Sequence, residues 1–341
     1  MQNNVKSHKN SKAMADADRK FASLLSLIFG IILLSFKFYA YHITNSQSIF
    51  SDALESIVNV VAAIITLIVV IAAAKPADED HPYGHGKIES IASTFEGGAI
   101  LLAGVLIVIQ SVQVFFHGAR VNEVNIGLSV VVGAGIVNGI LGLFLISKGK
   151  RLHSEALKSS GMHLISDTAS SVGVLVGLLL VKFTGLSWID PVVAAIFGSL
   201  LIYTGGNILI RSGNILIDGH DRETIERLRD LFEKHYRAGI IQIHYTRVIR
   251  SGNYHHIDCH MVVPEFWSVF ETHEFSEVLE KEMMEDYPVA GELHIHHDPC
   301  RMLYCSECEL GNCPIRIVPF AKRVGFSFEE MTAPTDSKNQ H

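Results

Sequence analysis

Two pairs of polar residues interrupt segments that are otherwise apolar enough to cross a lipid bilayer. Glu55 and Asn59 form the first pair, shortly after Asp52. His163 and Asp167 form the second pair. The members of each pair are four residues apart, so their side chains share one face of a helix. An ionisable group at membrane depth costs about 3 kcal/mol or more, and it usually marks an ion or proton path. Two such faces could enclose one divalent cation with four ligands, which favours metal transport.

The ligand types suit a transition metal, although each residue also has a structural interpretation. Carboxylates, an amide and an imidazole together bind borderline cations such as Zn²⁺, Fe²⁺ or Mn²⁺. Asp52 could lie at the membrane interface, and Glu55 and Asn59 could form hydrogen bonds between helices. A single histidine such as His163 is more often a satisfied bundle residue, but Asp167 one turn away favours a site.

The composition indicates a membrane domain followed by a soluble domain. The 341-residue chain is 48% hydrophobic and only 18% charged, whereas soluble domains carry about 25% charged residues. Apolar residues fill 21–210, and the remaining third is charged and rich in histidine. The net charge of −7, without a basic patch, argues against a nucleic-acid partner.

Hydropathy and charge predict the membrane topology. Six stretches approach the roughly 20 residues that span a bilayer, and they lie near 21–43, 49–74, 91–116, 124–147, 157–182 and 188–210. Lysine and arginine are concentrated before the first stretch and in the loops after the second and the fourth. The positive-inside rule therefore predicts six spans with both termini in the cytoplasm. Residues 1–20 lack the apolar core of a signal peptide and are expected to be a disordered cytoplasmic tail.

Beyond the last apolar stretch the pattern becomes that of a small α+β domain. Amphipathic helices are predicted at 221–236 and 270–286, and alternating strands at 240–250, 253–263 and 291–298. The predicted fold is an all-α six-helix transmembrane bundle plus a small cytoplasmic domain of order α-β-β-α-β. The expected domains are a tail at 1–20, a six-span domain at 21–211, a cytoplasmic metal-binding dimerisation domain at 212–299, and a Cys-rich tail with a disordered end at 300–341.

Two further clusters have metal-binding chemistry. Asp78, His81 and His85 lie in an acidic loop that could hold a cation or attract cations by its field, and a solvated loop is the alternative. The C-terminal segment carries four cysteines around a Cys-x2-Cys core: Cys300, Cys305, Cys308 and Cys313. Four thiolates are typical of a structural zinc site, with redox-active or free thiols as the alternative. In a cytosolic segment, disulfides are disfavoured.

The polar pair of the second span, the loop PADEDHPYGHGKIES and the HLISD of the fifth span resemble the cation diffusion facilitators, over nearly the whole chain. In that family two such pairs form a tetrahedral transport site, so the resemblance implies a four-ligand set of Glu55, Asn59, His163 and Asp167, with Asp52 as an accessory residue. This chain has Glu and Asn in the second span where the family usually has His or Asp and then Asp. The longer carboxylate and the neutral amide favour Fe²⁺, Mn²⁺ or broad selectivity over a strict zinc site.

The same resemblance implies further sites. It assigns a second metal site to Asp78, His81 and His85, and a salt bridge between Lys87 and Asp218 that braces a homodimer. It also implies a metal site in the metallochaperone-like cytoplasmic domain, at His244, His260, His296 and Asp298, with His273 as a nearby additional ligand. Surface histidines without metal are the alternative there.

The expected function is proton-coupled efflux of Zn, Fe, Mn or Co cations by alternating access, in a homodimer. The expected location is the inner (plasma) membrane, in contact with lipid, and we expect neither enzyme activity nor an organic cofactor. Divalent metal ions are expected as substrate and as regulatory or structural ligands, with zinc in the soluble sites. A membrane-anchored metal sensor or buffer is the alternative. A membrane metallohydrolase is less favoured, because the sequence has no HExxH motif.

Overall fold

The computed structural model describes residues 2–44, 47–117, 127–186 and 188–334. These residues form two units, which divide between Ile217 and Asp218. The first unit is helical and the second contains a small sheet, in agreement with the predicted order of a membrane domain and an α+β domain.

The first unit is built from long helices: α1 (Gln2–Thr44), α2 (Gln47–Ala73), α3 (Ile88–His117), α4 (Gly127–Arg151), α5 (Glu155–Thr184) and α6 (Ile189–Leu216). In the described part of the chain, four stretches are long and apolar enough to cross a membrane: Met14–His42, Ile88–Phe116, Val132–Arg151 and Pro191–Leu216. A shorter apolar stretch, Asn59–Ala73, belongs to α2. The chain therefore has a helical transmembrane region with four apolar helices. The predicted count of six spans stays a prediction.

The first helix is longer than the sequence predicted. It begins at Gln2 and includes the segment 2–20 that was expected to be a disordered tail. The segment contains four lysines and three alanines, which favour a helix, and Arg19 is only 2% exposed. Burial of this one side chain attaches the start of the apolar part of α1 to the rest of the bundle.

Small residues allow two helix pairs to approach closely. A side-chain carbon on Gly142 of α4 would lie 2.9 Å from the carbonyl oxygen of Gly161 in α5, and one on Gly161 would lie 2.7 Å from the oxygen of Gly142. In α3 and α6, a carbon on Gly104 would lie 2.7 Å from the oxygen of Gly198. Close backbone contact of this kind is how helices associate in lipid, where the hydrophobic effect does not drive them together.

A buried ionic cluster joins three parts of the first unit. Arg19 of α1 lies 3.2 Å from the carboxylate of Glu89 in α3, and both side chains are at most 2% exposed. Arg19 also donates to the carbonyl oxygen of Leu152, between α4 and α5. Glu89 accepts hydrogen bonds from the Ser154 hydroxyl at 2.6 Å and from the backbone N–H of Ala156 at 3.3 Å. Each buried charge thus has a partner of opposite charge and additional hydrogen bonds.

The second unit has the predicted order α-β-β-α-β: α7 (Arg222–Lys234), β1 (Gln242–Ser251), β2 (Tyr254–Val263), α8 (Val269–Asp286) and β3 (Ala290–Pro299). The sheet order is β1-β2-β3, with β2 antiparallel to β1 and parallel to β3. The hairpin turns at Gly252, where φ is 63°. Ser268 and Glu271 form a capping box at the start of α8. Ile243, Ile257 and Leu293 belong to the apolar core of this unit.

The C-terminal segment packs into the core of this domain, and the predicted domain boundary at residue 299 stays a prediction. Phe326 and Met331 are at most 9% exposed and belong to the same core, and Met331 lies in a short helix, α9 (Phe328–Thr332). The backbone N–H of Phe326 donates to Glu233 at 2.7 Å. This segment has no hydrophobic periodicity, and the isolated apolar residues Phe326 and Met331 anchor it. The last residues, 335–341, lie outside the described part.

We expect Arg19→Leu to lower the free energy of unfolding by about 3–5 kcal/mol, because Glu89 would remain buried without its cation. Unfolding of the purified protein in mixed detergent–SDS micelles measures this loss. Lys148→Ala is the matched control: Lys148 pairs with the exposed Asp18 at 3.4 Å, so its loss should cost at most about 1 kcal/mol. Equal effects of the two substitutions would contradict a role of the buried cluster in holding the bundle together.

Candidate metal centres

Helices α2 and α5 contact each other and bring three predicted ligands together. The Asn59 amide donates to Asp167 Oδ2 at 2.8 Å, and its oxygen lies 3.1 Å from His163 Nε2. His163 Nε2 lies 3.9 Å from Asp167 Oδ2, and both side chains are 18% exposed. An amide oxygen, an imidazole nitrogen and a carboxylate oxygen thus converge inside the helical bundle. These are ligand types that borderline divalent cations bind.

The other two predicted residues of this site, Asp52 and Glu55, have side chains that the structure does not describe. The backbone of Glu55 belongs to α2, one turn before Asn59, so a helix of ordinary geometry keeps the two on one face. The roles of Asp52 as accessory residue and of Glu55 as fourth ligand stay predictions.

Sequence reasoning missed a carboxylate close to this set. Glu96 lies in α3, is 6% exposed, and accepts a hydrogen bond from the Thr66 hydroxyl of α2 at 2.9 Å. Its helix, α3, contacts both α2 and α5. The signal was available, because Glu96 is an acidic residue inside the predicted third span, 91–116, where such a group indicates function.

The loop between α2 and α3 brings together Asp78, His81 and His85, as predicted. One potential ligand atom from each lies within 4.8 Å of the others. The backbone N–H of His81 donates to Asp78 at 2.8 Å, and this hydrogen bond is the main cause that lowers the pKa of Asp78 below its ordinary value. His85 Nε2 lies 3.6 Å from the same carboxylate. An ionised carboxylate beside two imidazoles can bind a divalent cation.

The three strands bring together a second described group, formed by His244, His260 and Asp298. His260 is the strand partner of both His244 and His296. Asp298 Oδ2 lies 2.9 Å from His260 Nδ1 and 3.4 Å from His244 Nε2. His296 Nε2 lies 3.6 Å from Asp298 Oδ1. The four predicted ligands therefore share one face of the sheet.

His273 is placed apart from this group. It lies on α8 and lines a groove together with His297. The His297 ring nitrogen lies 2.5 Å from the Ser276 hydroxyl of the same helix, and alternation along β3 puts His297 on the face opposite His296. The predicted nearby ligand therefore lies on the helix-covered face, and His244, His260 and His296 lie on the other.

Comparison with known proteins decides the family. A model of the cation efflux transmembrane domain matches residues 23–217, and a model of the cytoplasmic domain of cation efflux proteins matches residues 220–300. The chain belongs to the cation efflux family. This confirms the resemblance to the cation diffusion facilitators, and it identifies the helical unit as the membrane domain of a transporter family.

Similar proteins of the cation efflux family cover most of the chain. An uncharacterized transporter of Synechocystis is 31% identical over 264 residues, which are 77% of this chain and 85% of that protein. The manganese efflux system protein MneS of Bacillus subtilis is 25% identical over 277 residues, 81% and 94% of the two chains. The cation-efflux pump FieF of Yersinia pestis is 26% identical over 285 residues, 83% and 94% of the two chains.

The cysteine cluster extends past the matched cytoplasmic domain. All four predicted cysteines line one small cavity, and Arg316 donates to the carbonyl oxygens of Cys305 and Cys308 at 2.6 and 2.8 Å. Burial raises the pKa of the Cys300 thiol, so metal binding would have to displace its proton. The four do not form a group with three ligand atoms within 4.8 Å, unlike the two clusters above. A structural zinc at Cys300, Cys305, Cys308 and Cys313 stays a prediction.

The predicted salt bridge between Lys87 and Asp218 would join residues of the two units, and it also stays a prediction.

We expect His260→Ala to remove most of the thermal stabilisation that Zn²⁺ or Mn²⁺ gives the purified chain. A ligand at 100 times its Kd stabilises a folded protein by about 2.7 kcal/mol, and His260 contacts Asp298 and stacks near His296. Melting curves with and without metal measure the effect. His294→Ala is the control, since His294 is exposed on the same strand as His296 and outside the described group. Equal metal-induced shifts in both variants would count against this site.

Proposed function

We propose that this chain is a proton-coupled exporter of divalent transition-metal cations. The observation that carries the proposal is the convergence of Asn59, His163 and Asp167 from α2 and α5 inside the helical bundle of a cation efflux protein. Ionisable groups at that depth are costly, so they usually mark an ion or proton path. Glu55, one turn from Asn59, completes the ligand set.

Proton coupling follows from the chemistry of the ligands. An imidazole binds metal only as the neutral base and a carboxylate only when ionised, so protons and metal compete for His163 and Asp167. Protons arriving from the outer face displace the cation, and a cation arriving from the cytoplasm releases protons. The transporter alternates between the two faces as the helices around the site move against each other.

The ligand set favours Mn²⁺ or Fe²⁺ over strict zinc selectivity. An amide oxygen and carboxylates are harder ligands than histidine, and oxygen-rich sites suit Mn²⁺. The similar protein MneS carries manganese in its name, which agrees with this assignment. Zinc is assigned to the soluble sites, where histidine and cysteine ligands are more frequent.

The chain works as a homodimer, with six spans and both termini in the cytoplasm of the inner (plasma) membrane. The match to the cytoplasmic domain of cation efflux proteins supports the dimer, and the concentration of Lys and Arg in alternate loops supports the orientation. The loop site at Asp78, His81 and His85 lies in one of these positive loops, so it faces the cytoplasm and collects cations there.

We expect His163→Ala and Asp167→Ala each to abolish proton-driven Mn²⁺ flux in proteoliposomes, because each removes a ligand that binds both metal and proton. His42→Ala, at an exposed histidine of α1, should transport at the wild-type rate. Unchanged flux in both site variants would reject the site. Stoichiometric metal binding by the wild type without any flux would instead favour a membrane-anchored sensor or buffer.

We expect Asn59→Asp to shift selectivity toward Zn²⁺, because it restores the charged ligand that the family pattern has at this position. The ratio of Zn²⁺ to Mn²⁺ flux, measured side by side at equal proton gradients, should rise about tenfold, which corresponds to about 1.4 kcal/mol of differential stabilisation. Ser199→Ala, at an exposed serine of α6 whose hydroxyl bonds only to its own helix, should leave the ratio unchanged. An unchanged ratio in Asn59→Asp would show that position 59 does not set the choice of metal.

A further inference from the structure

A second layer of polar side chains lies in the same three helices as the proposed transport site. Glu96 of α3, Thr66 of α2 and Ser159 of α5 are 6%, 2% and 2% exposed. The Thr66 hydroxyl donates to Glu96 Oε1 at 2.9 Å. Ser159 is a neighbour of Glu96 on α5, and its hydroxyl donates to the backbone carbonyl of Ala156 at 3.1 Å. The three helices contact one another. Three oxygen-bearing side chains therefore meet in the interior of the membrane domain.

The Glu96 carboxylate is only half satisfied. Its Oε1 accepts the Thr66 hydroxyl, whereas its buried Oε2 has no hydrogen-bond partner among the residues that the structure describes. An unsatisfied buried polar atom costs about 1–3 kcal/mol, and more when the group is charged. For comparison, Glu89 in the same helix has Arg19, Ser154 and Ala156 as partners. Helix-to-helix contact alone would need only a neutral side chain at position 96.

The position of Glu96 along the bundle is also informative. Thr66 and Glu96 lie about seven or eight residues from the helix ends that the Asp78–His85 loop joins, or about 10–12 Å deep. Asn59 lies about twice as deep on α2, and Ser159 is one turn before His163 on α5. The second layer thus lies between the loop and the Asn59–His163–Asp167 site.

We propose that Glu96, together with the Thr66 and Ser159 hydroxyls, is an inner relay site that binds the divalent cation on its way between the loop and the transport site. Its oxygen-only ligands suit a hard cation such as Mn²⁺. The carboxylate gives the cation a charged partner about one to two helical turns before it reaches His163. The cation occupies this site only transiently, because two hydroxyls and one carboxylate bind it more weakly than the ligands of the transport site do. This inference rests on the proposed export function.

The test compares Glu96→Gln with Glu96→Asp in the full-length protein. Gln keeps the size of the side chain and an oxygen that accepts the Thr66 hydroxyl but removes the charge, whereas Asp keeps the charge and shortens the side chain. We expect Glu96→Gln to reduce the initial rate of Mn²⁺ flux in proteoliposomes about tenfold or more, while equilibrium Mn²⁺ affinity at the transport site changes less than about threefold. Glu96→Asp should retain more flux than Glu96→Gln. Ser111→Ala, at a buried serine farther along α3 that bonds to its own helix, should transport normally.

The proposal is tested by which of the two variants, Glu96→Gln or Glu96→Asp, retains the higher Mn²⁺ flux. A purely structural Glu96 predicts the reverse order, because Gln preserves packing and Asp leaves a cavity, and wild-type flux in Glu96→Gln would overturn the relay. Failure of the proposed function gives a different result, since the wild type itself would then move no Mn²⁺. In that case a binding measurement tests the relay site. Titration of the purified protein with Mn²⁺ should show a second, weaker binding site, which Glu96→Gln loses and His163→Ala keeps. If Glu96→Gln retained this weaker binding site, the relay site would be rejected.

Discussion

The membrane domain depends on one constraint, which is that polar groups buried among apolar helices must find partners inside the protein. Arg19 and Glu89 satisfy it completely, with an ion pair and further hydrogen bonds that join α1, α3 and the start of α5. Asn59, His163 and Asp167 satisfy it with hydrogen bonds to one another. The first cluster contains no exchangeable ligand, because its cation is a fixed guanidinium. In the proposed function, the second cluster replaces its internal hydrogen bonds by bonds to a metal ion. The same constraint then explains a structural contact in one place and the proposed transport site in another.

Sequence periodicity predicted the two-domain order, the α-β-β-α-β fold and the faces that carry the ligands, because these follow from local spacing. Four-residue spacing put His163 and Asp167 on one helix face, where they lie 3.9 Å apart. The pairing of His296 with Asp298 came from the family resemblance and not from periodicity. Local spacing does not predict how elements that are distant in the sequence pack against each other. Phe326 and Met331 complete the core of the second unit from a segment without periodicity. His273 belongs to the ligand set that the family resemblance implies, but it lies on α8, which packs on the sheet face opposite His296. Strand register and helix position together decide which face of the sheet a ligand reaches.

Glu96 was missed for a related reason. Two polar residues four apart on one helix indicate a shared face, whereas Glu96 is a single acidic residue whose neighbours, Thr66 and Ser159, belong to two other helices. One acidic residue hardly lowers the mean hydropathy of a long apolar segment, so α3 is still apolar enough to cross a membrane. Only the tertiary structure reveals that its second oxygen is buried without a hydrogen-bond partner in the described part of the chain. In a membrane domain, single ionisable residues therefore merit the same attention as spaced pairs.

The distribution of close contacts indicates where the bundle can change shape. Glycine-mediated backbone approach joins α3 to α6 and α4 to α5, and such contacts leave little room for sliding. The proposed ligands instead lie between α2 and α5, where side-chain hydrogen bonds make the connection. In the proposed function, a bound cation replaces those hydrogen bonds and so changes this interface directly. Binding energy can shift a conformational equilibrium only through contacts that differ between states. The proposed transport would therefore couple cation binding to helix movement at the α2–α5 interface.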